Sequence, residues 1–237
     1  MGVKKKMKIF YDVDTQNDFM NRDGALYVPD AEMIKPNLWK LKNYAIKNNI
    51  SMVGSVDLHF GTEEYKEREG ELAKYEGPFP DHCMLGTLGQ EKIFETTLSA
   101  LTNRDYELFN QITHAHDLKE QVYGNLLESA IPQLTQEGYG KQQLIFEKQS
   151  YDVFTNPAVE VFLDMAEVKE AVVYGVATDY CVKAAVLGMQ ERNIQTYVVE
   201  DAIKGVAEET TQQALEDMKQ AGAKFVTTKQ VLEELIK

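Results

Sequence analysis

Short apolar runs of strand length alternate along this 237-residue chain with segments whose apolar residues recur every three or four positions. The runs are typical of buried strands, and the segments between them are typical of amphipathic helices of about 10–15 residues. A strand followed by a helix, repeated along a chain, predicts an α/β fold with a mostly parallel central sheet and helices on both faces. An all-helical chain or a split α+β protein is the alternative.

The predicted elements are strands at 8–13, 50–56, 144–147, 170–175, 196–199 and 224–227, and helices at 34–45, 158–165, 181–192, 208–221 and 228–237. A chain of this length can bury a full core in one unit, so we expect a single domain over residues 1–237. Residues 97–140 fit no strand–helix unit and are predicted to be an insertion. His114 and His116 within it have metal-like spacing but no third partner nearby, so a solvated loop is predicted there.

Charge and cysteine content restrict the class of protein. The formal net charge of -13 argues against a nucleic-acid or anionic-membrane partner, and no run of about 18 apolar residues is present. Two cysteines do not make a disulfide framework, and the apolar stretch 9–11 is too short for a signal peptide. We therefore expect a cytoplasmic protein; the acidic charge does not indicate its substrate, and a small-molecule substrate is predicted from the candidate site residues described below.

Four polar or reactive residues stand at the ends of the first four predicted strands: Asp14, Asp57, Lys148 and Cys181. Ligands of parallel α/β sheets bind beyond the carboxyl ends of the strands. These residues are far apart in the sequence, yet the fold would bring them to one edge. Their convergence predicts a single site there.

Cys181 follows a buried strand and the turn Gly-Val-Ala-Thr-Asp-Tyr, which places it on the first turn of a predicted helix. The positive end of the helix and its unpaired N–H groups are expected to lower the pKa of the thiol and favour the thiolate. The backbone N–H groups of Ala177 and Cys181 are expected to face a developing oxyanion. A packed, unreactive thiol is the alternative.

Asp14 and Lys148 are candidate partners of this thiol. A carboxylate beside a thiol can take its proton and pass it to a departing amine. Lys148 would hold that carboxylate and favour the thiolate through its charge. Taken alone, each residue would more often be a turn residue or a solvated charge. The neighbouring Asp12 is predicted to lie inside the strand, and Asp18 to order the loop that follows.

A second candidate cluster combines Asp57, His59 and His82. Asp57 and His59 are two positions apart on an extended segment and project to the same side. With His82 they supply a carboxylate and two imidazoles, a donor set suited to a divalent metal. Cys83 points away from its neighbour His82 and is predicted to be a packing residue.

The chain resembles the cysteine hydrolases of the isochorismatase-like superfamily, and within it is most similar to nicotinamidases. The resemblance covers residues 8 to 227 except the 97–140 insertion. The matching motifs are Asp14-Thr15-Gln16-Asn17-Asp18-Phe19, Asp57-x-His59, Phe79-Pro80-x-His82-Cys83-x-x-Gly86-Thr87-x-Gly89, Lys148 and Gly175-Val176-Ala177-Thr178-Asp179-Tyr180-Cys181-Val182.

This resemblance implies a three-layer α/β sandwich, a catalytic triad of Asp14, Lys148 and Cys181, and a cis peptide before Ala177. It implies that amide hydrolysis proceeds through a thioester, and that the active form is a homo-oligomer. It also implies one divalent metal, with zinc expected and manganese or iron as alternatives. The implied metal ligands are Asp57, His59 and His82, and the implied substrate-binding residues are Phe19, Phe79, Val176, Ala177 and Tyr180.

The chain differs from the nicotinamidase pattern in its metal ligands. Many nicotinamidases carry a further metal-ligating His or Glu shortly after the Asp-x-His, and this chain offers only six glutamates between residues 63 and 76. The sequence does not choose among them. Two functional alternatives stay open: hydrolysis of a carbamoyl, ureido or maleamate-type amide, and a non-catalytic binding protein that keeps the fold.

Overall fold

A computed structural model describes residues 7–97, 127–128, 130–132, 134 and 143–234. Within these residues six strands form one sheet, in the order β3-β2-β1-β4-β5-β6, and every neighbouring pair is parallel. The prediction of an α/β fold with a parallel sheet is confirmed, and the all-helical and split alternatives are wrong. The strands are β1 Met7–Val13, β2 Ser51–Asp57, β3 Gln143–Lys148, β4 Val168–Val176, β5 Gln195–Lys204 and β6 Lys224–Val226.

The predicted helices are present, and one of them begins with a different type of helical turn. The helix predicted to begin at residue 181 starts earlier, as a π-helical turn over Thr178–Val182. The α-helices whose bounds lie within the described residues are α1 Asn17–Met20, α2 Lys35–Lys47, α3 Pro157–Met165, α4 Lys183–Glu191, α5 Glu208–Gln220 and α6 Thr228–Glu233. Short 3-10 helices cover Ala31–Ile34, Glu63–Arg68, Ala73–Tyr75, Leu88–Gln90 and Val153–Thr155. None of the described helices combines the length and apolar character needed to cross a membrane.

Local sequence signals explain where some helices begin. Asn156 precedes α3, and its side chain accepts a hydrogen bond from the Ala158 N–H at 3.0 Å, with Pro157 at the first helical position. Thr227 and Gln230 form a reciprocal capping box at the start of α6. Most of the predicted 97–140 insertion, including His114 and His116, lies outside the described residues.

Both faces of the sheet are buried, which explains why its strands are continuous apolar runs. Along β1, Ile9 and Tyr11 pack into the core that holds α3, α4 and α5, whereas Phe10 packs into the core that holds α2 and α6. All three are at most 1% exposed. The alternation of side chains in a strand thus distributes β1 between two helical layers.

The strand order reverses between β1 and β4, and a crevice opens at such a switch point in a parallel sheet. Val13 and Gly175 are in register there, and Gly175 has φ +122°. A Cβ at Gly175 would collide with the carbonyl oxygen of Val13, so glycine is required for the close approach. Asp14 leaves β1 on one side of the crevice, and Cys181 follows β4 on the other.

Candidate active site

Lys148 is the centre of the polar cluster at the switch point. Its ammonium lies 2.9 Å from Asp14 Oδ2, donates to Asp57 Oδ1, and is 3.4 Å from Cys181 Sγ. Asp57 and Lys148 are paired in register at the ends of β2 and β3, so the sheet itself sets that contact. The four residues predicted to converge do so, and each is at most 7% exposed.

Two side chains that the sequence did not single out for this purpose hold the Asp14 carboxylate and the Asp57 backbone in place. Ser55 Oγ donates to Asp14 Oδ1 at 2.7 Å, which leaves Oδ2 to face Lys148. Gln16 accepts from the Asp57 N–H and donates to the Asp57 carbonyl oxygen, both at 2.7 Å. Such bonds fix reacting groups before a substrate arrives.

The pKa of the Cys181 thiol differs from the value expected from the sequence. Burial raises the pKa of the Cys181 thiol well above its ordinary value; Lys148 opposes the rise, and Asp14 and Asp57 add to it. The predicted lowering of this pKa is therefore wrong for the metal-free protein, because helix position and one lysine do not outweigh full burial beside two carboxylates. The resting group is a thiol, and attack requires a base.

The two partners of the thiol have shifted pKa values as well. Burial raises the pKa of Asp14, and Asp57 raises it further, against the lowering by Lys148 and by the bond from Ser55. Burial lowers the pKa of Lys148, but Asp14 and Asp57 more than offset this, so its pKa lies well above the ordinary value. Lys148 thus stays a cation, and Asp14 binds a proton more strongly than an ordinary aspartate does, as suits a group that takes a proton from a thiol.

A second cluster lies against the first and shares Asp57 with it. One ligand atom from each of Asp57, His59, Glu71 and His82 lies within 4.8 Å of the other three. All four residues are buried. Asp57 therefore joins the lysine cluster to the histidines, in agreement with its place in both predicted groups.

The donor atoms of this second cluster suit a divalent metal. His82 Nδ1 lies 2.8 Å from the Pro80 carbonyl, which can only accept, so Nε2 is left to face the cluster. Both ring nitrogens of His59 and Oε1 of Glu71 are buried with no hydrogen-bond partner in the described part of the chain. Burial lowers the pKa of His59 to about 4, so its imidazole is neutral and able to coordinate a cation.

The structure selects one glutamate from the six candidates. Glu71 joins the cluster because the segment after it folds back: Phe79 N–H donates to the Glu71 carbonyl at 3.0 Å, and Leu72 bridges to Phe79. Burial raises the pKa of Glu71 to about 8, with Asp57 adding to the rise. Glu69, two positions earlier, points elsewhere and accepts from the Phe60 and Gly61 N–H groups.

Replacing Glu71 by glutamine should have opposite effects on stability and on metal affinity. The unfolded chain ionises this carboxyl near pH 4 and the folded, metal-free chain near pH 8, so the metal-free protein loses stability as the pH rises between these values. In Glu71→Gln that loss is absent, and urea unfolding in chelator should show a gain over wild type at pH 9 that shrinks at pH 5.

Zinc titration of the same variant by calorimetry should show an affinity lower by at least the roughly 10- to 100-fold that loss of an outer ligand contact costs. Glu69→Gln is the matched control for charge and segment, and it should not reduce zinc affinity to that extent. Equal zinc affinity for Glu71→Gln and wild type would remove Glu71 from the ligand set.

The predicted substrate-binding residues surround one cavity next to Cys181. Its volume is about 60 Å³, which is room for about two water molecules at the roughly 30 Å³ that each occupies in the liquid. Phe79, Tyr151 and Tyr180 pack edge to face or tilted against one another, with ring centroids 5.1–6.1 Å apart. Tyr151 was not predicted. The lining residues are Phe19, Leu26, Tyr27, Val28, Asp57, Glu71, Phe79, His82, Tyr151, Val176, Ala177, Tyr180, Cys181 and Val206.

The peptide between Val176 and Ala177 is cis, as the resemblance implied.

Asp12, Asp18 and Cys83, which were predicted to have structural roles, lie outside the two polar clusters. Asp12 lies in β1 with Lys92 Nζ at 3.0 Å, and Asp18 accepts from the Ala25 and Cys83 N–H groups at 3.0 and 2.7 Å. Cys83 is fully buried and belongs to neither metal-competent group among the described residues.

Comparison with solved structures finds the same architecture in known amidases. The pyrazinamidase of Pyrococcus horikoshii in complex with zinc is 26% identical, with a TM-score of 0.67 over 93% of this chain and 98% of that chain. Nicotinamidase/pyrazinamidase from Bacillus subtilis is 22% identical, with a TM-score of 0.67 over 93% and 99%. N-carbamoylsarcosine amidase from Thermoplasma acidophilum is 18% identical, with a TM-score of 0.65 over 97% and 98%.

The last two structures, at less than 25% identity, establish the fold alone. Comparison with curated protein sequences gave no significant match. The family model described as the Isochorismatase domain matches residues 12–230, from the end of β1 into α6. That span includes both polar clusters and the cavity between them, and on this match the chain belongs to the isochorismatase family of hydrolases.

Proposed function

We propose that this protein is a metal-dependent nicotinamidase that converts nicotinamide and water to nicotinate and ammonia. One observation carries the proposal: the Cys181 thiol and the Asp57–His59–Glu71–His82 cluster meet in one small aromatic cavity. A planar ring with a carboxamide on one side and a nitrogen on the other would contact both. The zinc-bound pyrazinamidase and the nicotinamidase with similar folds support this substrate class.

In the first half of the reaction, Cys181 Sγ attacks the carboxamide carbon while Asp14 takes the thiol proton. The relevant Asp14, Asp57 and Cys181 atoms lie within 4.8 Å of one another, and such distances shorten when a substrate is bound. Lys148, 3.4 Å from Sγ, stabilises the charge that develops on sulfur. The Ala177 and Cys181 N–H groups are the proposed donors to the oxyanion. Asp14 then protonates the departing amine, so ammonia leaves and a thioester remains.

In the second half, water attacks the thioester carbon with Asp14 as base. The C–S bond breaks, the proton returns to Sγ, and the carboxylic acid product ionises on release. Over the cycle one C–N bond and one water O–H bond are broken, and the thiol is regenerated. No oxidant or further reactant is needed.

The residues proposed to hold the metal are Asp57, His59, His82 and Glu71, with zinc as the proposed ion. When bound, the ion would supply a coordination position for a ring nitrogen, directly or through its water. Phe19 and Phe79, whose rings lie 5.6 and 6.1 Å from the His82 ring, are proposed to flank the substrate ring.

The lining of the cavity favours a neutral aromatic amide over the other substrates of the superfamily. Maleamate and N-carbamoylsarcosine each carry a carboxylate, and no lysine or arginine is among the described lining residues. The ionisable lining groups are instead Asp57, Glu71, His82, two tyrosines beside Cys181, and Tyr27. An anionic substrate would depend on the metal alone for charge compensation. Hydrolysis of N-carbamoylsarcosine, which is suggested by the amidase of similar fold, ranks second to nicotinamide hydrolysis for this reason.

A panel of small amides, scored for ammonia with and without a chelator, tests the proposal. We expect nicotinamide and pyrazinamide to be hydrolysed, and the activity to fall on chelation and return on addition of zinc. Benzamide, which has the ring and the amide but no ring nitrogen, is the matched control and should be a poor substrate. Hydrolysis of N-carbamoylsarcosine or maleamate that survives chelation, with nicotinamide untouched, would support the second candidate. No turnover of any amide would support a binding protein.

A further inference from the structure

The side chain of Asp179 connects the turn that carries Cys181 to a distant helix. Asp179 lies two residues before Cys181 in the π-helical turn and is half-buried. Its carboxylate accepts hydrogen bonds from the Val206 N–H at 2.9 Å, the Ala207 N–H at 3.2 Å and the Thr210 hydroxyl at 2.5 Å. All three donors lie at the start of α5.

Helix α5 has no side-chain cap of its own. Ala207 is its N-cap residue, with the extended conformation usual there (φ -130°, ψ 147°), but alanine has no acceptor to offer. Asp179 accepts instead from the N–H of Ala207 and of the residue before it, and it places a negative charge at the positive end of the helix. The start of α5 is therefore stabilised by a carboxylate from another part of the chain, and these bonds fix two segments relative to each other.

The same contact lies beside the candidate active site. Val206, whose N–H is bound by Asp179, lines the cavity together with Tyr180 and Cys181. The approach is close: a Cβ at Gly205 would overlap Thr211 Oγ1 and lie 3.1 Å from Asp179 Oδ1. The Asp179 carboxylate therefore connects the turn that carries Cys181 to Val206, another residue that lines the cavity.

We propose that Asp179 is a positioning residue for the reaction. It ties the turn to the start of α5, and so keeps Cys181 Sγ within reach of Lys148 and keeps Val206 in the cavity wall. The proposal rests on Cys181 being the nucleophile. A residue that only capped α5 would contribute stability and nothing to the placement of Cys181.

A double variant separates these two roles. Asp179→Ala removes both the stabilisation of the helix start and the tie between the segments. Adding Ala207→Ser returns a cap to α5, because a serine with this backbone conformation can accept from the second or third N–H of the helix. The double variant Asp179→Ala/Ala207→Ser thus has a capped helix with no bond to the cysteine turn.

We expect Asp179→Ala to lower Tm by about 2–4 °C, as loss of one cap does in a protein of this size, and kcat for nicotinamide by about tenfold or more. The double variant should recover Tm but not kcat. Alkylation of Cys181 by iodoacetamide, followed on its own peptide by mass spectrometry, should be slower than in wild type in both variants. The reason is that Sγ loses the nearby charge of Lys148, which favours the thiolate.

Two control variants complete the set. Ala207→Ser alone should match wild type in kcat and in alkylation rate. Thr227→Ala, which removes the side-chain cap of α6, should lower Tm without changing either rate. Recovery of kcat together with Tm in the double variant would show that Asp179 only caps α5, as would unchanged kcat and alkylation in Asp179→Ala. If wild type hydrolyses no amide, the proposed function fails, and the alkylation rates still decide the role of Asp179.

Discussion

Replacing Cys181 by alanine should abolish nicotinamide hydrolysis, with kcat reduced by about 10⁴-fold or more, as expected when a nucleophile that acts as one unit with its base is removed. The variant should fold, because Cys181 lies at the cavity and its loss removes a single sulfur atom from the wall. Ammonia release measures the activity, and Tm and the far-ultraviolet circular dichroism spectrum check the fold.

The matched control is Cys83→Ala. Cys83 is the other thiol of the chain and is fully buried, and its contact with Asp18 uses the backbone N–H, which alanine retains. This variant should keep its activity. Rapid quenching of wild type with nicotinamide should also trap a mass increase equal to the acyl group on the Cys181 peptide. Wild-type turnover in Cys181→Ala would rule out the thioester route.

Placement of the site at one sheet edge was predictable because parallel strands align their carboxyl ends. Asp14, Asp57 and Lys148 stand at strand ends in the sequence, and β2 and β3 pair Asp57 directly with Lys148. The apolar runs predict the strands, and parallel strands bring their last residues to the same edge of the sheet. This part of the site could be predicted without knowing the conformation of any loop.

The parts that the sequence left open depend on loops and on burial. Glu71 could not be told from Glu69, since the choice follows from the backbone pairing of residues 72 and 79. The pKa of Cys181 could not be predicted either, because its direction follows from complete burial beside two carboxylates. Asp179 was noted only as part of a motif, and its helix partner lies 28 positions away.

Lys148→Met should cause the largest loss of stability of any variant considered. The lysine is fully buried between Asp14 and Asp57; methionine would fill the space but leave the buried Asp14 carboxylate without a cation and Asp57 with only His82 Nε2, 3.8 Å away. Breaking a buried ion pair from one side costs about 3–5 kcal/mol. Urea unfolding at pH 7 in chelator should show a loss of this order, and nicotinamide hydrolysis should fall with it.

The stability loss of Lys148→Met should depend on pH, and a second substitution at Asp14 should reduce it. Burial already raises the pKa of Asp14 in the folded protein, and removing the cation raises it further. The penalty is therefore present well above the unfolded value of about 4 and fades as the pH falls towards it, where both states are protonated. Lys148→Met/Asp14→Asn, with one buried charge fewer, should be more stable than Lys148→Met at pH 7 and no more active. If the single variant unfolds at the same urea concentration as wild type, Lys148 does not neutralise these carboxylates, and the charge arrangement assigned to the site is wrong.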